Sequence, residues 1–219
     1  MDSLISSERF ETLQQAWVRL LQRLGVEPHA AYTLFDDLVE RYREPHRHYH
    51  NLEHIAEVLK VASKLIDAAG NSDAVYLAAW YHDAIYDPSA KDNEERSAEL
   101  AVKSLGDVGV DVKTVQRVAM LIQATAHAGE ITTDPDTAVL LDADLAILAA
   151  EEQRYRRYAA AIRQEYDWVA ETDYVVGRSH VLEQFLKRPR IYLTERMLAE
   201  AEVSARRNVS AELVTLRQA

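Results

Sequence analysis

Four of the eight histidines in the chain fall within residues 46–54, in the stretch Pro-His-Arg-His-Tyr-His-Asn-Leu-Glu-His that ends at His54. His50 and His54 are four residues apart, and positions four apart share one face of a helix. Two imidazoles on one face are a good ligand pair for a divalent metal ion. A cluster of solvent-exposed histidines on a loop explains the same pattern equally well, so this stretch alone leaves both interpretations open.

A further histidine is followed directly by an aspartate, His82 and Asp83, in the segment Trp-Tyr-His-Asp-Ala-Ile-Tyr-Asp-Pro. The apolar pattern predicts a helix over residues 73–86 with this pair inside it. A carboxylate within an apolar helix is unfavourable unless it is paired or binds a metal. Consecutive helical residues point about 100° apart, so both side chains can reach one ion beside the helix. The apolar neighbours on both sides disfavour the alternative, an exposed pair on the solvent face.

Aspartates also interrupt a third apolar segment, Ala-Val-Leu-Leu-Asp-Ala-Asp-Leu-Ala-Ile-Leu, which contains Asp142 and Asp144. A buried carboxylate needs a cation or hydrogen-bond donors. Residues two apart lie on nearly opposite faces of a helix, so at most one of the two is expected to bind the same ion as the histidines. The other is expected to cap or orient a neighbouring group.

Taken in order, these segments resemble the HD superfamily of metal-dependent phosphohydrolases, and more narrowly a bacterial branch described as predicted HD phosphohydrolases. The resemblance rests on Glu-His-Ile-Ala-Glu-Val-Leu, Tyr-His-Asp-Ala-Ile-Tyr-Asp-Pro followed by Asp-Asn-Glu-Glu-Arg-Ser-Ala, and Asp-Ala-Asp-Leu-Ala-Ile-Leu, and it covers about residues 40–210. The family pattern selects His54 over His50 and Asp144 over Asp142. It therefore implies a metal site formed by His54, His82, Asp83 and Asp144.

The resemblance implies an enzyme that hydrolyses a phosphate ester of a nucleotide or other small phosphometabolite with metal-activated water. Two imidazoles and two carboxylates suit Mn²⁺, Fe²⁺, Co²⁺, Ni²⁺ or Zn²⁺, whereas Mg²⁺ prefers fewer nitrogen ligands. Two alternatives stay open. One is an HD-type di-iron oxygenase, for which His50 and His127 would be extra ligands, and the other is a non-catalytic HD-fold binding protein.

Several other polar residues are candidates for supporting roles. Arg47 and His50 precede the helix of His54, so we expect them at the rim of the cleft, where they bind phosphate or protonate the leaving oxygen. Asp87 is expected to assist catalysis by orienting water, and His127 to contact a second metal or the phosphate. A surface salt bridge for Arg47, a turn for Asp87 and a helix C-terminus for His127 are the structural alternatives. The residues expected to support the ligands from outside are Tyr49, Asn93, Glu94 and Asp142.

The elements that must position these residues are predicted to be helices. Only 6 glycines and 5 prolines occur among 219 residues, which disfavours a turn-rich β fold. Helix-capping patterns begin at Asn51, Asn71 or Ser72, Asp111 and Asp134, and Asp92 with Glu95 fits a capping box. The predicted helices cover residues 10–25, 30–43, 52–69, 73–86, 94–105, 112–127, 136–150, 151–170, 173–187 and 194–207, with a short tail from residue 210.

We therefore expect a single compact all-α domain of the HD type over residues 1–219. Its metal-site core is expected at about residues 46–150, with helices of residues 151–219 packed on it. The formal net charge of −11 disfavours nucleic acid and anionic membranes as partners, but not a small phosphorylated substrate at a metal. The absence of cysteine leaves nitrogen and oxygen ligands only. A cytoplasmic protein, with a homo-oligomer left open, is the expectation.

Overall fold

The helical spacing of apolar residues extends over nearly the whole chain. In the computed structural model, which describes residues 5–126 and 132–218, every regular element within those two ranges is a helix. This confirms the predicted all-α fold class. Two of the helical elements are short 3₁₀ turns, Ile66–Ala68 and Leu145–Ala149. The α-helices are α1 Ser7–Arg23, α2 Pro28–Tyr42, α3 Leu52–Leu65, α4 Ser72–Tyr81, α5 Asn93–Asp107, α6 Val112–Ala124, α7 Pro135–Asp144, α8 Glu152–Glu165, α9 Glu171–Lys187, α10 Glu195–Glu200 and α11 Glu202–Leu216.

Four predicted helix starts are confirmed by their capping hydrogen bonds. The side chains of Asn51, Asn71, Asp111 and Asp134 each accept a backbone N–H from the first turn of the helix that follows. These caps satisfy N–H groups that have no partner inside the helix. The predicted capping box at Asp92 is wrong, because its side chain makes no capping hydrogen bond to α5.

Several helix ends differ from the prediction. Helices α3 and α8 end earlier than expected, at Leu65 and Glu165. Helix α4 ends at Tyr81, so the His-Asp pair lies in the turn after the helix and not inside it. Helix α7 gives way to a 3₁₀ turn after Asp144. The segment predicted as residues 194–207 is broken at Ala201 into α10 and α11, and α11 continues to Leu216 in place of the expected tail.

Helix α4 forms the centre of the core. Its residues from Ala74 to Tyr81 are apolar on all sides and nearly all buried, as expected for a helix surrounded by others. It packs against α3, α5, α6 and α7. At its end, the Trp80 ring meets Trp17 edge-on at 5.4 Å and Phe35 at 5.8 Å. The Tyr42 hydroxyl donates to the Trp80 carbonyl at 2.8 Å. These contacts fix the point at which the chain leaves α4 for His82.

The C-terminal helices cover the 3₁₀ turn after α7. Helix α11 packs on this turn and on α9, and α8 also contacts the turn. The Asn208 side chain donates to the carbonyls of Leu148 and Ala150, at 2.9 and 2.7 Å. The Tyr192 hydroxyl donates to the Leu145 carbonyl at 3.1 Å. The C-terminal half of the chain thereby holds the segment that follows Asp144.

Within the described residues, we find no helix with the combination of length and apolar character that a bilayer crossing requires.

Candidate metal centre

Two imidazoles and two carboxylates from three separate parts of the chain meet at one point. His54 lies in the first turn of α3, His82 and Asp83 follow the end of α4, and Asp144 is the last residue of α7. Both histidines are buried, with relative exposures of 4% and 1%. The Asp83 and Asp144 side chains retain 18% and 14% exposure, and Asp144 lines a cleft together with His54.

The ligand atoms of these four residues lie at similar separations. The Nε2 atoms of His54 and His82 are 3.3 Å apart. Asp83 Oδ2 lies 3.4 Å from the first and 3.1 Å from the second. Asp144 Oδ1 lies 3.3 and 3.5 Å from the same two atoms. Each carboxylate therefore lies beside both imidazoles.

This spacing fits the coordination shell of one divalent ion. Atoms bound at about 2.1 Å to a shared ion lie about 3.0–3.4 Å apart when they are adjacent ligands. Ligand atoms of His54, His82 and Asp144 all lie within 4.8 Å of one another. The group could hold a metal ion, and the mixture of nitrogen and oxygen donors suits a first-row transition ion.

A hydrogen bond outside the cluster orients one of the imidazoles. His82 Nδ1 lies 3.0 Å from the Ala79 carbonyl, and only a protonated Nδ1 can donate to that oxygen. The geometry therefore assigns a proton to Nδ1, and in the neutral ring the Nε2 lone pair is directed into the cluster. A backbone carbonyl in this role is typical of metal-binding histidines.

Charge within the cluster shifts the pKa values of His54, His82 and Asp83. Burial lowers the pKa of His82, but the carboxylates of Asp83 and Asp144 outweigh burial and hold the pKa well above its usual range. Burial likewise raises the pKa of Asp83, yet the two neighbouring imidazoles hold it well below the usual range. The partly buried carboxylates are thus stabilised by positive charge beside them, and either imidazolium or a metal ion supplies it.

A second group of polar residues, centred on Glu165 at the end of α8, lies next to the cluster. Glu165 Oε1 accepts the backbone N–H groups of Tyr49 and His50, at 2.7 and 2.9 Å. Its Oε2 lies 2.7 Å from His50 Nδ1 and accepts the Tyr86 hydroxyl at 2.9 Å. Burial raises the pKa of Glu165, but His50 outweighs it and lowers the pKa to about 2. Glu165 is therefore a carboxylate that fixes the loop before α3 and the ring of His50.

Sequence reasoning missed Glu165, although a signal was present. In α8 the buried residues are Tyr155, Ile162 and Glu165, which lie on one face of the helix. A glutamate on an otherwise apolar face needs donors, just as Asp83 does. Its partners are 79 to 116 residues away in the chain, so the pattern alone does not identify them. The site thus extends beyond the predicted boundary of its core at residue 150.

The predicted position of Arg47 at the rim of the cleft is wrong. Its side chain is fully buried and donates to the backbone carbonyls of His50, Asp83 and Ala84, at 3.1, 2.7 and 3.1 Å. Its Nε also donates to Glu44 at 2.9 Å. Arg47 therefore joins the loop before α3 to the turn after α4. The Asp83 and Ala84 carbonyls accept from its guanidinium, and not from the N–H groups that a further turn of α4 would supply. Its guanidinium is taken up by these protein groups and not presented to a phosphate.

Three other predicted supporting residues lie away from the ligands. The exposed Asp87 carboxylate accepts the backbone N–H and the hydroxyl of Ser89. Asp87 thus stabilises a turn, which was the structural alternative to a role in catalysis. Asn93 closes the same loop through its amide, accepting from Asp87 N and donating to Asp87 O. Glu94 lies near Tyr166. Burial is the main cause of the raised pKa of Tyr166, and the Glu94 carboxylate adds a smaller increase. The expected role of Asp87 in orienting water at the metal is not supported by this placement.

Asp142, His127 and Tyr49 complete the set of predicted residues. Asp142 is fully buried and accepts the backbone N–H groups of Leu193 and Thr194, both at 2.7 Å, and the Thr194 hydroxyl at 2.6 Å. It anchors the segment before α10, and it is Asp144 that meets the imidazoles. His127 falls outside the described residues. Tyr49 lies beside the cluster, with its ring 4.8 Å from that of His54 and 4.6 Å from that of Tyr158.

The cluster opens into a cleft of about 670 Å³ between α3, the end of α7 and α8. His54 and Asp144 lie in its wall, and the alanines 143, 146, 149 and 150 form an apolar surface beside them. A second cleft lies near Glu165 and Tyr86 and is bordered by Trp168, whose side chain is 60% exposed. A pocket of the first size accommodates a small molecule.

No protein-family model matches the chain, and neither a curated protein nor a solved structure shows significant similarity to it.

Proposed function

We propose that the protein is a metal-dependent phosphohydrolase of the HD type that hydrolyses a phosphate ester of a nucleotide or other small phosphometabolite. The observation that carries the proposal is the meeting of His54, His82, Asp83 and Asp144. Two of the four, His54 and Asp144, line a cleft large enough for a small molecule. These are the residues that the HD resemblance selects, in the same order along the chain. The spacing of their ligand atoms fits one transition ion.

A bound divalent ion supplies a Lewis acid and lowers the pKa of water, which are the two requirements of phosphate-ester hydrolysis near neutral pH. The protein's own groups arrange the rest. Asp83 and Asp144 place negative charge beside the two imidazoles and draw a cation into a buried position. His50, with Nδ1 held by Glu165 and its ring 5.7 Å from that of His54, is assigned to protonate the leaving oxygen.

The first experiment measures metal and activity together. Protein purified without chelator is analysed for bound metals and assayed with Mn²⁺, Co²⁺, Ni²⁺, Zn²⁺, Fe²⁺ and Mg²⁺ against nucleotides and sugar phosphates. We expect about one divalent transition ion per chain and phosphate release that chelation abolishes. Asp83→Ala should lose most of the metal and the activity, with its helical circular dichroism retained.

Asp87→Ala is the matched control, because Asp87 is an aspartate of the same segment whose carboxylate bonds Ser89 outside the cluster. It should keep the metal. Equal metal content in wild type and Asp83→Ala would reject the site. Two irons per chain with oxygen consumption and no phosphate release would replace the proposal with the oxygenase.

A further inference from the structure

One face of α8 forms a wall of the cleft that contains His54 and Asp144. Arg154, Arg157, Tyr158 and Ala161 all line this cleft. Their spacing of three, four and seven residues is that of a single helical face. The opposite wall is the outward face of α3, and the surface between them is made of the small side chains after Asp144. A molecule that filled this cleft from the cluster would contact α8.

Outside the His/Asp cluster to which Asp144 belongs, the charged side chains along this cleft form ion pairs except at one position. Arg9 binds both Glu53 and Glu57, and Arg154 lies 3.2 Å from Glu57. Two arginines thus neutralise two glutamates. Arg157 donates only a long hydrogen bond of 3.4 Å to the carbonyl of Gln153, and it forms no ion pair with any residue of the described ranges.

Its neighbour shows what an ordinary surface arginine does on this helix. Arg156 is 77% exposed and forms an ion pair with Glu152 one turn away, and it does not line the cleft. Such exposed pairs contribute little to stability. Arg157, in contrast, presents a planar guanidinium with several free N–H groups to a cavity on a protein of net charge −11. This is a group suited to bidentate contact with a carboxylate or a phosphate.

We propose that Arg157 binds a second anionic group of the substrate, so that the preferred substrates are phosphate esters carrying a further phosphate or carboxylate. The inference rests on the proposed function, since the first phosphate is the one held at the metal cluster. The alanine surface between the cluster and α8 takes the uncharged body of the molecule. Arg157 is thus a specificity-determining residue and leaves the metal site itself untouched.

The test compares a matched pair of sugar phosphates, fructose 1,6-bisphosphate and fructose 6-phosphate, in wild type, Arg157→Gln and Arg156→Gln. The quantity measured is the ratio of kcat/KM for the bisphosphate to that for the monophosphate. A charge-assisted hydrogen bond at a partly exposed site predicts a ratio that falls roughly tenfold in Arg157→Gln. Arg156→Gln, adjacent on the same helix, should retain the wild-type ratio. Phosphoglycerate and glycerol phosphate form a second pair, which tests a carboxylate as the further anion.

An unchanged ratio in Arg157→Gln for both pairs would overturn the inference while leaving the hydrolase in place. A wild-type preference, in both pairs, for the member with a single anionic group would overturn it as well. If no ester is hydrolysed, the proposed function fails. The inference about Arg157 is then tested by calorimetry with metal-loaded protein, as the ratio of the dissociation constants of the same two sugar phosphates. A tenfold weaker discrimination in Arg157→Gln alone would then support a two-anion binding site without hydrolysis.

Discussion

Asp142 and Asp144 show how completely surroundings decide the role of a residue. They lie two apart in α7, so their side chains leave the helix on nearly opposite faces. Asp144 meets two imidazoles, whereas Asp142 meets two backbone N–H groups and a hydroxyl. Asp144 is placed where a cation could bind, whereas Asp142 accepts hydrogen bonds from backbone N–H groups in place of backbone carbonyls. Substitution of the two should therefore affect different measurements.

Asp144→Asn should weaken metal binding at least tenfold, because a neutral amide is a poorer ligand than a carboxylate. Asp142→Asn should leave metal binding near the wild-type level but lower the free energy of unfolding by about 1–3 kcal/mol, since an amide oxygen cannot serve three donors. Metal titration and urea unfolding of both variants check this. The opposite ranking would place Asp142 at the metal.

The lowered pKa of Glu165 predicts how the free energy of unfolding depends on pH. Its pKa of about 2 in the folded protein lies below the usual 4.5, so the fold favours the ionised form. The stabilisation is complete above pH 4.5 and is lost as the pH falls towards 2. It amounts to roughly 3 kcal/mol. Glu165→Gln should therefore lose stability less steeply than wild type between these pH values, as measured by urea unfolding at fixed pH steps.

The matched control is Glu152→Gln, an exposed glutamate in the first turn of the same helix. This variant should follow the wild-type pH dependence. Parallel curves for wild type and Glu165→Gln would show that the hydrogen bonds to Tyr49, His50 and Tyr86 do not depend on the charge.

At the scale of elements, the site depends on two irregular segments held against each other. The loop before α3 and the turn after α4 are joined by Arg47, whose guanidinium reaches carbonyls in both. Lysine cannot make the same hydrogen bonds to both segments, because it has a single ammonium nitrogen in place of the planar guanidinium group. Arg47→Lys should lower the free energy of unfolding by roughly 2–4 kcal/mol, in urea titrations of metal-free protein.

Arg41→Lys is the comparison, because Arg41 forms one partly exposed ion pair with Asp37 in α2. It should cost less than about 1 kcal/mol. Full stability of Arg47→Lys combined with a raised KM would restore the phosphate-binding role that the sequence led us to expect.

The elements also show where sequence reasoning succeeds. The caps at Asn51, Asn71, Asp111 and Asp134 are local interactions, and a local pattern is enough to predict them. The resemblance to a known motif selected the four clustered residues. The end of α4 at Tyr81 was missed because a distant guanidinium competes for the carbonyls there. Glu165 and Arg157 were missed because their surroundings depend on which helix faces the cluster, and periodicity does not carry that information.

On the scale of the whole molecule, the cluster connects α3, the end of α4 and the end of α7, three parts of the chain that are far apart in sequence. An ion bound there links them only in the folded state. At a free concentration one hundred times its dissociation constant, it stabilises the fold by about 2.7 kcal/mol. For a chain of this length, Tm should rise by about 5–10 °C.

Scanning calorimetry with each metal and with chelator checks the shift. Asp83→Ala should unfold at the same temperature in both conditions, whereas Asp87→Ala should respond as wild type does. A metal-dependent rise of Tm that persists in Asp83→Ala would indicate binding elsewhere in the chain.

The three tryptophans of the chain occupy two kinds of surroundings. Trp17 and Trp80 are buried against each other, and Trp80 precedes His82 by two residues, whereas Trp168 is exposed beside the second cleft. The intrinsic emission therefore has a blue component from the core and a red component open to iodide. A Trp168→Phe protein would emit from the core pair alone. Quenching of that light by paramagnetic Mn²⁺ or Co²⁺ then gives an optical reading of an ion arriving beside His82, without any substrate.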